Sequence, residues 1–185
     1  MFNFLDIGGI VTTSKKTTLD RTKIVAETID DLRRVFQAVS DFSKHAERLT
    51  GLTGPQLWAI KVIEESESIR VSDLAKRMYL HPTTVVGILD RLEAQELVQR
   101  IRSKTDRRVV DVKLTKLGEK LVESSPDVAQ GMLVKGLEKI NEDKLKRIHE
   151  GMSEFVKILG VEGAPPRLIL SNEVNIASPK RKVHQ

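Results

Sequence analysis

The 185-residue sequence contains no cysteine. That absence removes disulfides, thiolate metal sites, cysteine nucleophiles and thiol-based redox sensing in one step. Aromatic residues are scarce, 4% of the chain with one Trp and one Tyr, which disfavours a carbohydrate-type stacking surface. No apolar run approaches the roughly 18–20 residues that span a bilayer. The opening MFNFLDIGGIVTTSKK sets no basic segment ahead of its apolar residues, as a secretory signal would. These gaps lead to the expectation of a soluble, cytoplasmic chain without a membrane partner. The histidines stand at 45, 81, 149 and 184, with no i,i+4 partner and no acidic companion at ligand spacing, so no metal is expected. There is no phosphate-cradling Gly loop and no nucleophile elbow. The chain therefore reads as a non-enzyme that needs no cofactor.

What is present is charge, and its location matters. Twelve of the 31 Lys and Arg and seven of the 26 Asp and Glu lie between Arg70 and Lys120, a balance of +5. The remainder holds 19 of each sign, so the whole net charge of +5 belongs to that segment. A charge run is often only a solvated face, but a basic concentration inside a folded segment is also the footprint of a nucleic-acid binder. Hydrophobic residues at 39% supply a core.

Apolar spacing divides the chain. Residues 1–18 hold no period and read as an N-terminal extension. From Leu19 to about Leu49 a helical repeat runs through Val25, Ile29, Leu32, Phe36, Val39, Phe42, Ala46 and Leu49, giving a helix over 19–50. In LTGPQLWAIKVIEES Thr53 can cap and Pro55 suits a first turn. IRV at 69–71 reads as a strand, and Ser72 is expected to cap DLAKRMYL. A turn at Tyr79–His81 then leads to Pro82 and a third helix. Val85, Ile88, Leu89 and Leu92 form its buried stripe, while Thr83, Thr84, Gly87, Asp90 and Arg91 form its free face.

Two short helices joined by about three residues make a helix-turn-helix, and the second is slim enough on its free face for a major groove about 12 Å wide. LVQRIR and RVVDVKL read as two strands joined by SKTDR, a wing whose basic tip can reach phosphates or the minor groove. The expected fold is mainly α with a small β-wing: a winged helix-turn-helix over 51–118, flanked by N- and C-terminal dimerisation helices. The C-terminal part of that pair is 119–160, interrupted near Pro126 and ending in a helix over Glu142–Leu159. There Leu145, Ile148, Met152, Phe155 and Leu159 are spaced 3-4-3-4, a coiled-coil-like seam. Such a stripe either packs within one subunit or meets a second copy. The latter is favoured because the small winged domain cannot cover both terminal helices. Residues 161–185 are aperiodic and read as a flexible tail ending in Lys180, Arg181 and Lys182, with LIL at 168–170 able to dock on a neighbour.

The block TVVGILDRLEAQELVQRIRSKTDRRVVDVKLTKLGEKL resembles the signature of the MarR (multiple antibiotic resistance regulator) family. The matching pieces are Asp90-Arg91-Leu92-Glu93, Leu97-Val98, Asp106-Arg107-Arg108 and Leu114-Thr115-Lys116-Leu117-Gly118. LTGPQLWAI and VSDLAKRM match the preceding helices in order and spacing, and the likeness covers about residues 20–160. Three positions depart from the pattern: Glu96 stands where Gly is usual, Gly87 where a larger polar residue is common, and His81 where Asp or Ser usually caps.

The resemblance implies a homodimeric transcriptional regulator of the kind that often binds a small aromatic or anionic effector. Two recognition helices about one helical turn apart then suit a pseudo-palindromic double-stranded DNA operator, and a repressor is expected because binding over a promoter blocks polymerase without further contacts. Thr83, Thr84, Gly87 and Arg91 would face the major groove, although Arg91 could equally clamp Asp106. At the wing, Lys104, Asp106, Arg107 and Arg108 are either a surface ion-pair cluster or, as the resemblance implies, a minor-groove probe led by Arg108. Ser72, Lys76, Arg100 and Arg102 would meet phosphates. Leu32, Phe36, Val39, Leu145, Ile148, Met152 and Phe155 would form the dimer interface. His45, Arg48 and Trp58 are effector-pocket candidates, with Trp58 reading first as a core aromatic. The competing readings are a winged-helix protein-interaction module, or an effector-binding protein without specific operator recognition.

Overall fold

The computed structural model describes residues 20–102, 110–169 and 175. The N-terminal extension, the wing tip and the last ten residues lie outside them. Helix α1 covers Arg21–Thr50. Asp20 Oδ1 accepts from the Lys23 N–H at 3.3 Å at its start, and Gly51 (φ 70) ends it. Its first half, residues 21–35, leaves Ile24, Val25, Ile29 and Val35 exposed. In the second half Ala46 is the buried residue.

The body follows as helix α2 (Gly54–Glu64), strand β1 (Ile69–Arg70), helices α3 (Val71–Arg77) and α4 (Pro82–Ala94), strands β2 (Val98–Arg102) and β3 (Val110–Leu114), and helices α5 (Lys116–Glu123), α6 (Ala129–Lys139) and α7 (Glu142–Ile158). At α2, Gln56 Oε1 accepts from the Thr53 N–H at 2.9 Å, half of a capping box. The Thr53 hydroxyl is buried without a partner.

The three strands form one antiparallel sheet in the order β1-β3-β2. Ile69 pairs with Val112, and β2 runs from Val98↔Leu114 to Arg102↔Val110. Val112, Leu114 and Val98 turn inward, against Leu57, Ile60, Ile63, Leu74, Met78, Val85, Ile88, Leu89 and Leu92. Each of these side chains, if fully buried, contributes about 1.5–3 kcal/mol. The expected buried stripe of the third helix is thus the inner face of α4.

Two boundaries differ from expectation. Ser72 does not cap α3, because β1 runs straight into it: the extended Arg70 (φ −66, ψ 141) is the cap residue and Ser72 sits in the first turn. The tail, expected to be flexible or docked on a neighbour, is anchored at Leu168. That side chain is 4% exposed and belongs to the chain's own core. Helix α7 contrasts with all the others of the body by burying none of its residues. Among the described residues no helix is long and apolar enough to cross a membrane.

Candidate nucleic-acid interface

Helix α4 is seated by its apolar face and offers the other to solvent. Thr83, Asp90 and Arg91 are exposed, and Gly87 is half-buried. A Cβ at Gly87 would meet nothing within 4 Å, so this position is open space rather than a packing requirement. Thr84, expected beside Thr83 on the free face, is instead 8% exposed. Its Oγ1 lies 3.4 Å from Asn175 Oδ1, a contact that depends on residues far apart in sequence.

The N-terminus of α4 is capped by His81, whose Nδ1 accepts from the Thr83 N–H at 3.3 Å; Pro82 at the first helical position needs no donor partner. The C-terminal end passes through Glu96 in the left-handed region (φ 58), the conformation foreseen where the family usually has Gly. It leads into a knot built on the Leu114–Gly118 motif. Thr115 Oγ1 donates to the Glu96 carbonyl at 2.6 Å and accepts from the Gly118 N–H at 3.1 Å, capping α5. A Cβ on Gly118 would stand 2.1 Å from the Leu97 carbonyl oxygen. The glycine is therefore what lets α5 close on the end of the α4–β2 corner.

Arg100 is not free for a phosphate as expected. Its guanidinium Nη1 lies 2.7 Å from Asp90 Oδ1 and 2.8 Å from Glu93 Oε2, and Nη2 donates to the Val86 carbonyl at 3.2 Å. Its side chain is 24% exposed. Arg100 thus ties β2, the first wing strand, to three successive turns of α4, and two carboxylates already occupy its charge. Arg102, at the end of β2, is exposed. Ser72 and Lys76 are exposed on α3, with Lys76 paired to Asp73 at 3.3 Å. Lys104, Asp106, Arg107 and Arg108 lie outside the described residues.

The three effector-pocket candidates are not brought together. Trp58 is 4% exposed, in line with its reading as a core aromatic. The cleft along its edge is lined by Lys61, Glu65, Asp127, Gly131 and Lys135 among others, and neither His45 nor Arg48 takes part. Both are exposed on α1. Gly131 is a residue that the spacing did not single out: a Cβ there would lie 3.0 Å from Trp58 Cδ1, so α6 rests directly on the indole. On the rim, Lys135 Nζ reaches Glu65 Oε1 at 2.8 Å, and this bond first, then the carboxylate's charge, raises the lysine pKa. Nearby, the Tyr79 hydroxyl donates to Glu138 Oε1 at 2.8 Å, which raises the phenol pKa.

Of the dimerisation candidates, Phe36 is 67% exposed, and Leu145, Ile148 and Met152 are exposed on α7. Leu32, Val39 and Phe155 are half-buried.

Two short helices, the second facing solvent, followed by the β2–β3 hairpin of an antiparallel sheet whose third strand, β1, precedes them, define a winged helix-turn-helix. The MarR family model matches residues 52–110. The organic hydroperoxide resistance transcriptional regulator of Bacillus subtilis is 32% identical over 108 residues, covering 58% of this chain and 72% of that protein. The chain belongs to the MarR family. It is also similar to the HTH-type transcriptional repressor MdtR of Bacillus subtilis, 33% identical over 88 residues, 48% of this chain and 57% of the repressor's length. Among solved structures, that of Streptococcus pneumoniae FabT in complex with DNA is 20% identical, covers 75% of this chain and 97% of that one, and has a TM-score of 0.48.

Proposed function

We propose that this protein is a transcriptional regulator that binds double-stranded DNA as a homodimer, and that it acts as a repressor. The observation that carries the reading is α4: its apolar stripe is wholly buried, while Thr83 and Arg91 face solvent beside the half-buried Gly87, where a Cβ would meet nothing within 4 Å. A helix held this way enters a major groove and reads base edges. Membership of a family whose relatives are named as transcriptional regulators points the same way. The +5 balance between Arg70 and Lys120 supplies counterion-release affinity for phosphates. Arg102, Lys76 and Ser72 are the flanking phosphate contacts, and the wing, with Lys104, Asp106, Arg107 and Arg108, takes the minor groove.

The dimer is supported by α7. A helix of 17 residues with none buried, showing Leu145, Ile148 and Met152 to solvent, has its apolar stripe left uncovered by the described residues, and a second copy is its natural cover. Two α4 helices related by a two-fold axis would read a pseudo-palindrome. Repression follows because occupancy of a promoter blocks polymerase without further contacts. Release by a small anionic effector at the Trp58 cleft, where Lys61 is a lining cation, completes the reading.

The test is selection of duplexes from a random pool with the full chain, then fluorescence anisotropy on the recovered sequence and on random DNA across a salt series. The expected result is a two-fold symmetric motif bound about a thousandfold more tightly than random duplex. Arg91→Ala should weaken the motif by about 1–3 kcal/mol if it contacts a base. Equal and steeply salt-dependent binding to both duplexes would leave counterion release alone and would overturn the regulator reading in favour of a protein-interaction module.

A further inference from the structure

The first turn of α4 is held by a residue from the far end of the chain. In a capping box, the side chain three residues past the cap accepts the cap residue's own N–H. Helix α2 does this locally, with Gln56 on Thr53. In α4 the equivalent position is Thr84, whose side chain is too short and lacks the amide or carboxylate. The vacancy is filled by Asn175, 94 residues from His81. Its Oδ1 accepts from the His81 N–H at 2.7 Å and lies 3.4 Å from Thr84 Oγ1. The arm that brings it is tied at two points: the Asn175 N–H donates to the Pro166 carbonyl at 2.7 Å, and Leu168 is buried in the core.

We infer that Asn175 is a positioning residue for the recognition helix, completing its N-terminal cap from the C-terminal arm. The capped turn carries Thr83 and Thr84, and the N-terminal residues of such a helix are the ones that meet base edges. An acceptor lost at this point leaves the His81 N–H without a partner and lets the turn fray. The consequence for base reading rests on the DNA-binding function proposed above; the cap itself does not.

The test compares the full chain with Asn175→Leu, which removes the acceptor, and Asn175→Asp, which keeps it. Amide exchange at His81 and Thr84 is followed by NMR, thermal melting is recorded, and anisotropy is measured on the selected and random duplexes. In Asn175→Leu the His81 amide should exchange at least about fivefold faster. The preference for the selected duplex should fall about five- to tenfold, with random-duplex affinity unchanged, the size expected for one lost cap. Asn175→Asp should keep the protection and the preference while binding both duplexes more weakly, because it adds a negative charge. Unchanged protection and preference in Asn175→Leu would overturn the inference. So would tighter operator binding, which would make the arm a competitor of DNA. If wild type discriminates between no duplexes, the regulator reading fails, and the exchange comparison alone decides the cap.

Discussion

Glu96 shows how one backbone angle records a family habit. The segment between the recognition helix and the first wing strand must turn through the left-handed region, and Glu96 does so at φ 58 with its side chain in solvent. A residue with a Cβ is strained there by about 1–2 kcal/mol, partly offset because glycine gives up more freedom on folding. Glu96→Gly should therefore raise stability by about 0.5–1 kcal/mol, a shift of a few degrees in a thermal melt. A lower melting temperature would mean that the glutamate makes a compensating interaction. This strain was legible from the sequence, since the resemblance marked the position where glycine is usual. The burial of Thr84 was not. Its neighbours in the helix say that it faces outward, whereas in the fold it is 8% exposed and its hydroxyl lies 3.4 Å from Asn175, from another part of the chain. Gly118 was legible as part of a motif, but its physical reason, the Leu97 carbonyl 2.1 Å from where a Cβ would be, needs the packed corner.

At the scale of elements, the helices and strands followed from their apolar periods, and the misjudged boundary at Ser72 came from two elements abutting without a linker. Arg100 is the instructive case. Its residue type and its place on a wing strand suggested a phosphate contact. Asp90 and Glu93, three apart on one helix, are spaced to share one face, but that this face meets β2 depends on tertiary packing. The wing and recognition helix are therefore joined by a charge-assisted clamp. Arg100→Met should cost stability modestly, about 1 kcal/mol or less, because the two carboxylates are 59% and 41% exposed and water screens them. The larger expected effect is on exchange: β2 and β3 amides should lose protection in the variant, with the difference shrinking at high salt. Equal protection in both proteins would show that the sheet pairing alone fixes the wing.

At the scale of the whole molecule, the proposed dimer rests on the exposed apolar stripe of α7. Sedimentation equilibrium should give twice the monomer mass at micromolar concentration. Ile148→Glu combined with Met152→Glu should move the species toward monomer, because a carboxylate buried in an apolar seam is strongly unfavourable. A wild-type chain that sediments as a monomer would remove the dimer from the proposed function. The periodicity alone could not choose between a stripe covered within one subunit and one covered by a second copy; that α7 buries none of its residues supports the second copy proposed above. The resting place of α6 on Trp58 carries a practical consequence as well. The chain has a single tryptophan, and Gly131 leaves the indole in direct touch with a helix backbone. The protein thus contains its own optical gauge: intrinsic emission from that one ring will register any sliding of α6 over α2 without an added label.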